Sequence, residues 1–203
     1  LFNQIPQATE SFKGIGIDLG GGASLVSCSI AQSAQVKKVY CVESVVSVVN
    51  LLQPIVKTQI LGDESDKVLS VIGNYDQLQL EDQSIDFAVA WDSMHHSPNP
   101  VNTLRECARV LKPSGTLVVV DRAHNNETPD TEIQRMLDIV YDAAFLKSSY
   151  RDPTLKLTRR ENGENEYRYR EWEKFFGDAG FQISHAVEIL GGQSDHTFEP
   201  NDA

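Results

Sequence analysis

The stretch Ile15-Gly16-Ile17-Asp18-Leu19-Gly20-Gly21-Gly22-Ala23-Ser24 constrains this 203-residue chain more than any other. An apolar run ends in a carboxylate, three glycines follow, and the next seven residues, Leu25–Ala31, read as the start of a helix. Strand, tight turn and helix N-terminus in that order present backbone N–H groups to a ligand at the carboxyl end of the first strand of an α/β sheet. Glycine allows the sharp turn and keeps Cβ atoms out of the ligand's path. The pattern predicts a nucleotide-type site.

The dinucleotide fingerprint G-x-G-x-x-G separates two kinds of nucleotide. Gly20 and Gly22 fill its first two places, but Leu25 stands where the third glycine belongs. Asp18 argues the same way, because a fixed carboxylate repels a pyrophosphate and attracts a ligand carrying an ammonium and a sulfonium. An oxidoreductase of dinucleotide-binding type is therefore the weaker reading.

Composition narrows the partners. With 40% apolar and 23% charged residues the chain suits one α/β domain with a good core. A net charge of −11 disfavours nucleic acid and anionic membrane, whose binding rests on Lys and Arg, and favours a small-molecule substrate. No apolar run approaches the roughly 20 residues of a membrane span, and no signal-peptide pattern opens the chain. Cys28, Cys41 and Cys107 have no metal-ligand spacing and read as small buried hydrophobes of a reducing cytosol, so the expectation is a cytoplasmic protein with no metal. The chain opens on Leu1 rather than Met, and the expectation is that sequence upstream has been removed.

Further along, residues 38–42 form a β-rich run ending in Glu43, an acid at a strand end where such folds hold a ribose; its other reading is a charge offsetting the dipole of the next helix. Ser44 caps a helix carrying Val45, Val48, Val49 and Leu52, which Pro54 is expected to kink or stop. Residues 62–66 are a loop. Val68–Ile72 and Ile85–Trp91 read as the third and fourth strands, the latter a buried parallel one. Asn99 and Pro100 start a helix whose face is Val101, Leu104, Ala108 and Leu111, and which stops at Lys112-Pro113-Ser114-Gly115 before a fifth strand at 116–121.

Asp18-Leu19-Gly20-Gly21-Gly22 resembles the first motif, D/E-x-G-x-G-x-G, of the class I S-adenosylmethionine-dependent methyltransferases, with Ser24 in the last glycine's place. Residues 105–117, R-E-C-A-R-V-L-K-P-S-G-T-L, resemble the R-E-x-A-R-V-L-K-P-G-G-x-L segment of the ubiquinone- and menaquinone-biosynthesis type. The resemblance covers roughly residues 14–121. It implies a Rossmann-like seven-stranded, mostly parallel sheet of order 3-2-1-4-5-7-6 with helices on both faces and an antiparallel C-terminal hairpin. It also implies S-adenosylmethionine as cofactor, with Asp18, Gly20, Gly21, Gly22, Glu43, Asn74, Tyr75 and Trp91 as its binding residues. Asn74 fills the place of an acid that accepts from the adenine amino group, with Asp76 competing for the role. The implied activity is methyl transfer to a small-molecule acceptor by in-line displacement. A non-catalytic S-adenosylmethionine-binding protein is the alternative, suggested by Ser24, Asn74 and Pro54.

The family-variable part lies after the fifth strand. Thr128-Pro129-Asp130 opens a helix with Ile133, Met136, Leu137, Val140, Tyr141, Ala144 and Phe145 on one face. Between 150 and 170, six basic residues stand against four acidic ones; most of them read as a solvated surface loop, and the sharper reading is that Arg159 or Arg168 holds a carboxylate or phosphate of the acceptor. Met94 and Tyr141 flank the same cleft. His95 and His96, in the loop after the fourth strand, are the candidate general bases for an acceptor that must lose a proton. Trp172, Phe175, Phe176 and Ala179 form a helical stripe ended by Gly180; Phe181, Ile183, His185, Val187 and Ile189 alternate as a sixth strand, and a short seventh falls near 196–198. The expected organisation is one domain over 1–203, with a cofactor core at 14–121, an acceptor-side insertion at 122–170 and a C-terminal helix and hairpin at 171–203.

Overall fold

The computed structural model describes residues 6–149 and 151–188. Five strands, β1 (Gly14–Leu19), β2 (Val36–Glu43), β3 (Val68–Ile72), β4 (Ile85–Trp91) and β5 (Leu111–Val120), form one sheet in the order β3-β2-β1-β4-β5. Every pairing is parallel. The helices are α1 (Pro6–Ser11), α2 (Leu25–Ala31), α3 (Gln53–Leu61), α4 (Pro100–Val110), α5 (Asp130–Leu137), α6 (Ala143–Ser148) and α7 (Tyr169–Asp178).

A parallel sheet buries both faces, which is why β1, β2 and β4 read as near-continuous apolar runs. On one face Ile17, Leu19, Ala88 and Ala90 pack with Leu104, Cys107 and Val110 of α4 and Trp172 of α7. On the other, Val39, Cys41, Phe87 and Val89 pack with Phe12 and with Cys28, Ile30 and Ala31 of α2. Each of the larger ones, the Val, Leu, Ile and Phe side chains, contributes about 1.5–3 kcal/mol when fully buried. Gly16 makes room for this arrangement: a Cβ there would stand 2.1 Å from the Phe87 ring. The R-E-C-A-R segment serves the scaffold. Arg109 holds Glu106, Asp82 and the carbonyls of Leu78 and Leu80, while Glu106 accepts from Leu78 N, so α4 clamps the loop before β4.

Five expectations need correction. The sixth strand does not form over 181–188: Phe181 leaves the alternation to pack edge-on against Phe176, and Ile183 and Val187 are exposed. Ile189 and the seventh strand at 196–198 lie outside the described residues. Pro54 does not end its helix. The chain passes through a wide π-type turn at Val48–Leu52 and starts α3 at Gln53, so Pro54 occupies a first-turn position where its missing N–H costs nothing. The helix expected from Thr128 to Phe145 is two: α5 ends at Leu137, Val140 bridges to Thr158, and Asp142 caps α6 by accepting from Phe145 N at 2.7 Å. The turn at 112–115 does not separate helix from strand, because β5 begins at Leu111 and the four residues bulge out of register between Ile85 and Phe87. The 62–66 loop is a short 3₁₀ segment, Gly62–Lys67, and residues 6–11, which carry no clear periodicity, form α1.

Candidate active site

The carboxyl ends of β1 and β4 carry a cleft of about 300 Å³ lined by Asp18, Gly20, Gly21, Gly22, Ala23, Leu25, Val26, Trp91 and Asp92. Its position is where open α/β sheets bind ligands. A larger hollow of about 520 Å³ lies at the opposite end of β4 and β5, against Arg109, Lys112 and Phe181, away from the strand tips that carry the chemistry.

The loop is built for close approach. Gly20 and Gly22 have φ of 74° and 50°, and Ser24, in the place of the last motif glycine, also adopts a left-handed φ of 70°. A Cβ on Gly20 would meet Ser93 at 2.7 Å and one on Gly21 would meet Cys41 Sγ at 2.4 Å, whereas at Gly22 nothing lies within 4 Å. Three contacts hold the bend: Glu43 Oε2 accepts from Gly22 N at 3.1 Å, Gln53 Nε2 donates to Gly22 O at 2.7 Å, and Ser93 Oγ donates to Leu19 O at 2.6 Å.

Asp18 is buried beneath this loop. Ser27 Oγ donates to its Oδ2 at 2.6 Å, and Oδ1 has no hydrogen-bond donor among the described residues. Burial pushes its carboxyl up to about 6, with Glu43 adding in the same direction against the Ser27 hydrogen bonds. A buried carboxylate with an open oxygen beside a cleft is matched to a cationic group such as an ammonium.

The other expected cofactor residues stand at the margin. Asn74 is exposed and its Oδ1 accepts from Asp76 N in an Asx turn. Tyr75 crosses toward β4, where its hydroxyl donates to Ser93 O at 3.1 Å and its ring approaches the position of a Gly20 Cβ at 3.3 Å. Asp76 accepts from Thr103 Oγ1. Trp91 and Asp92 form the far lip, and Asp92 adopts a left-handed φ of 49°. Strain of this kind at a non-glycine residue concentrates at functional sites.

Beyond Asp92, four candidates meet around one carboxylate that the sequence did not single out, Glu164. His95 Nε2 lies 3.4 Å and His96 Nε2 3.9 Å from it, Tyr141 donates to Oε1 at 3.0 Å, and Arg159 stands at 3.6 Å. Arg122 Nη2 is 3.0 Å from Glu164 while its Nε donates to Asp92 at 3.1 Å, which links this cluster to the cleft at the glycine bend. Behind it, Glu166 pairs with His124 at 2.5 Å and with Arg159. Burial opposes ionisation of Glu164, yet His95, Arg122 and His96 outweigh it and hold the carboxyl well below its ordinary 4.5. Its contribution to stability is thus present above about pH 4.5 and falls away with acidification.

His95 is fully buried with both ring nitrogens engaged: Nδ1 lies 2.7 Å from Asp121 Oδ1 and Nε2 2.5 Å from Arg122 Nη2. Burial works against charging the ring; Asp121 and Glu164 prevail and raise it to about 9, with Arg122 opposing. His96 is exposed, with Nδ1 against the Gly163 carbonyl at 3.1 Å. The two remaining substrate candidates lie elsewhere. Met94 is a core residue beside Leu104 and Cys107, and Arg168 caps α7, holding Thr128 O, Asp130 and Glu171. Arg159 is likewise committed to in-chain carboxylates. Asp121 and Arg122 are the residues a strand-end rule could have found, since β5 stops immediately before them. All three cysteines are free and buried, and no helix among the described residues is long and apolar enough to cross a membrane.

Residues 17–119 match the model of the methyltransferase domain family, and the chain belongs to that family, the class I S-adenosylmethionine-dependent methyltransferases. Its fold is also that of solved methyltransferase structures. One from Bacillus halodurans C-125, described as a methyltransferase, shares 20% identity at a TM-score of 0.67, over 90% of this chain and 69% of that one. An Aquifex aeolicus S-adenosylmethionine-dependent methyltransferase shares 20% at 0.61, over 91% and 82%. A Galdieria sulphuraria structure, described as a sarcosine dimethylglycine methyltransferase, shares 26% at 0.59 over 66% of this chain, which spans 49% of it. The cofactor of the class is S-adenosylmethionine; the ubiquinone- and menaquinone-type subdivision is not singled out by these matches.

Proposed function

We propose that this chain transfers a methyl group from S-adenosylmethionine to a small-molecule acceptor, and that it works in the cytoplasm. The observation carrying this reading is the unpartnered Asp18 Oδ1 beneath the glycine bend, a buried anion awaiting a cation. In the proposed arrangement Asp18 holds the ammonium of the cofactor's amino-acid end, and the open face of Gly22 lets the ligand lie against the backbone. Glu43 takes the ribose. Of its four acceptor positions, Gly22 N, Val45 N and the Ser44 hydroxyl use three, and the 3.3 Å Ser44 contact is the one most readily exchanged for a sugar hydroxyl. Asn74 and Tyr75 border the base, and Trp91 closes the side opposite Glu43.

When bound, S-adenosylmethionine supplies an electrophilic methyl on a sulfonium, so the protein's work is alignment and exclusion of water. The residues between 122 and 170 form the acceptor side, with Tyr141 and the Glu164 cluster as the wall nearest Asp92. The net charge of −11 supports a small molecule over nucleic acid.

Calorimetric titration with adenosylhomocysteine tests the cofactor site, and transfer of radiolabelled methyl to a metabolite panel tests the acceptor. Binding is expected to depend on Asp18 ionisation. With its carboxyl raised to about 6, affinity should be level above pH 7 and weaken about tenfold by pH 5, as the proton neutralises the anion the ligand needs. An affinity flat across pH 5–8 would remove Asp18 from the site.

A further inference from the structure

We propose that His95, His96 and Glu164 form a binding site for a divalent first-row transition metal ion of the zinc class, in exchange with the Arg122 guanidinium. The three ligand atoms all lie within 4.8 Å of one another, with Nε2 of His95 3.4 Å and Nε2 of His96 3.9 Å from the Glu164 oxygens. Ligands of a tetrahedral zinc ion, with bonds of about 2.0–2.2 Å, sit about 3.4 Å apart, so modest contraction closes the set.

The surroundings of the two rings strengthen the assignment. A histidine serves a metal best when its other nitrogen donates to an oxygen that fixes tautomer and orientation. Here Nδ1 of His95 faces Asp121 Oδ1 at 2.7 Å, and Nδ1 of His96 faces the carbonyl of Gly163 at 3.1 Å. Both Nε2 atoms thereby lie on the Glu164 side, and an entering ion displaces the proton of the His95 ring to solvent as it takes the nitrogen. The backbone arranges this: the turn Met94–His96 supplies two successive histidines, and Gly163, with a left-handed φ of 81°, aims its carbonyl at the second.

A cation is already drawn to these ligands. Arg122 Nη2 lies 2.5 Å from His95 Nε2 and 3.0 Å from Glu164 Oε2, yet Glu164 Oε2 accepts no well-aligned hydrogen bond. The guanidinium lies within hydrogen-bond distance of His95 Nε2 but meets Glu164 Oε2 by charge more than by fit. Arg122 is partly exposed and already bonded through Nε to Asp92, so it has a second partner to withdraw to. Entry of the ion would move Arg122 fully onto Asp92, at the lip of the cofactor cleft. The paired Nε2 atoms then serve a metal rather than a substrate proton.

The test strips the full chain with a chelator and titrates it with Zn²⁺ and Co²⁺, without cofactor, so that failure here is separable from failure of the methyltransferase reading. One equivalent is expected to bind, Co²⁺ with the visible absorption of a low-coordinate nitrogen and oxygen site. His96→Ala and Glu164→Gln should each weaken binding at least tenfold, and Arg122→Met should tighten it about tenfold; circular dichroism checks that each variant is folded. The exposed His96 makes His96→Ala the least disruptive of them. Lack of stoichiometric uptake at 100 µM metal, uptake indifferent to His96→Ala and Glu164→Gln, or weaker uptake by Arg122→Met overturns the proposal.

Discussion

Gly16→Ala is expected to lower the melting temperature by roughly 6–12 °C, corresponding to about 3 kcal/mol in a chain of this size. Gly16 sits in β1, between β2 and β4, and an added Cβ would lie 2.1–2.7 Å from three atoms of the Phe87 ring. The ring has no room to yield: Phe87 is fully buried, and Phe12 packs 5.1 Å from its centroid. Interiors packed to crystal-like density respond to such an intrusion by rotamer strain or backbone shift. The compensating change Phe87→Leu, which removes the ring atoms concerned, should recover part of the loss in the double variant. Thermal unfolding of the three proteins reads this directly. An unaltered melting temperature in Gly16→Ala would mean that Phe87 does not lie across β1.

Asp18→Asn is expected to split binding from stability. Losing the anion should weaken adenosylhomocysteine binding about 10- to 100-fold, the range for a hydrogen bond between charged groups. The same substitution should stabilise the free protein at neutral pH. A carboxyl raised from 3.8 to about 6 is ionised at pH 7 at a cost of up to about 3 kcal/mol, a penalty absent below pH 4 and fully developed above pH 6. The gain in Asp18→Asn should therefore shrink as pH is lowered from 7 to 4. Calorimetry and chemical denaturation at both pH values measure the two halves. Loss of binding with loss of stability would indicate that Asp18 is a structural acid satisfied by Ser27, with no ligand to serve.

Much of the fold was legible because the elements near the site obey local rules. β3 and β4 are apolar runs whose observed ends match the reading residue for residue, and Asn99 with Pro100 marks the start of α4, where Asn99 Oδ1 accepts from Asn102 N. The glycine bend and Asp18 came together because a strand end, a turn and a helix start are written in one short segment, and Trp91 joins them as the end of β4, which pairs with β1. What escaped is non-local. Glu164 is one acid in a mixed-charge segment, and its importance comes from His95, 69 positions earlier in the sequence, and from Arg122. The apolar stripe from Ile133 to Phe145 is compatible with one long helix, and only the pairing of Val140 with Thr158 breaks it in two. Arg159 and Arg168 read as free forks because their carboxylate partners, Glu166 and Asp130, cannot be assigned from spacing alone.

The wide turn at Val48–Leu52 sets the rotational phase of everything after it. Each residue of a regular helix advances about 100° around the axis, so an extra residue accommodated in one turn shifts the following faces by that amount. Gln53 thereby points inward to the Gly22 carbonyl and Cys41, while Ile55, one turn on, is left in water beside Leu51 and Leu52 of the turn itself. Deleting one residue there would restore ordinary winding and swing the amide off the glycine bend. The oily outer surface of the turn and the start of α3 is the counterpart of having a glutamine grip the loop from behind.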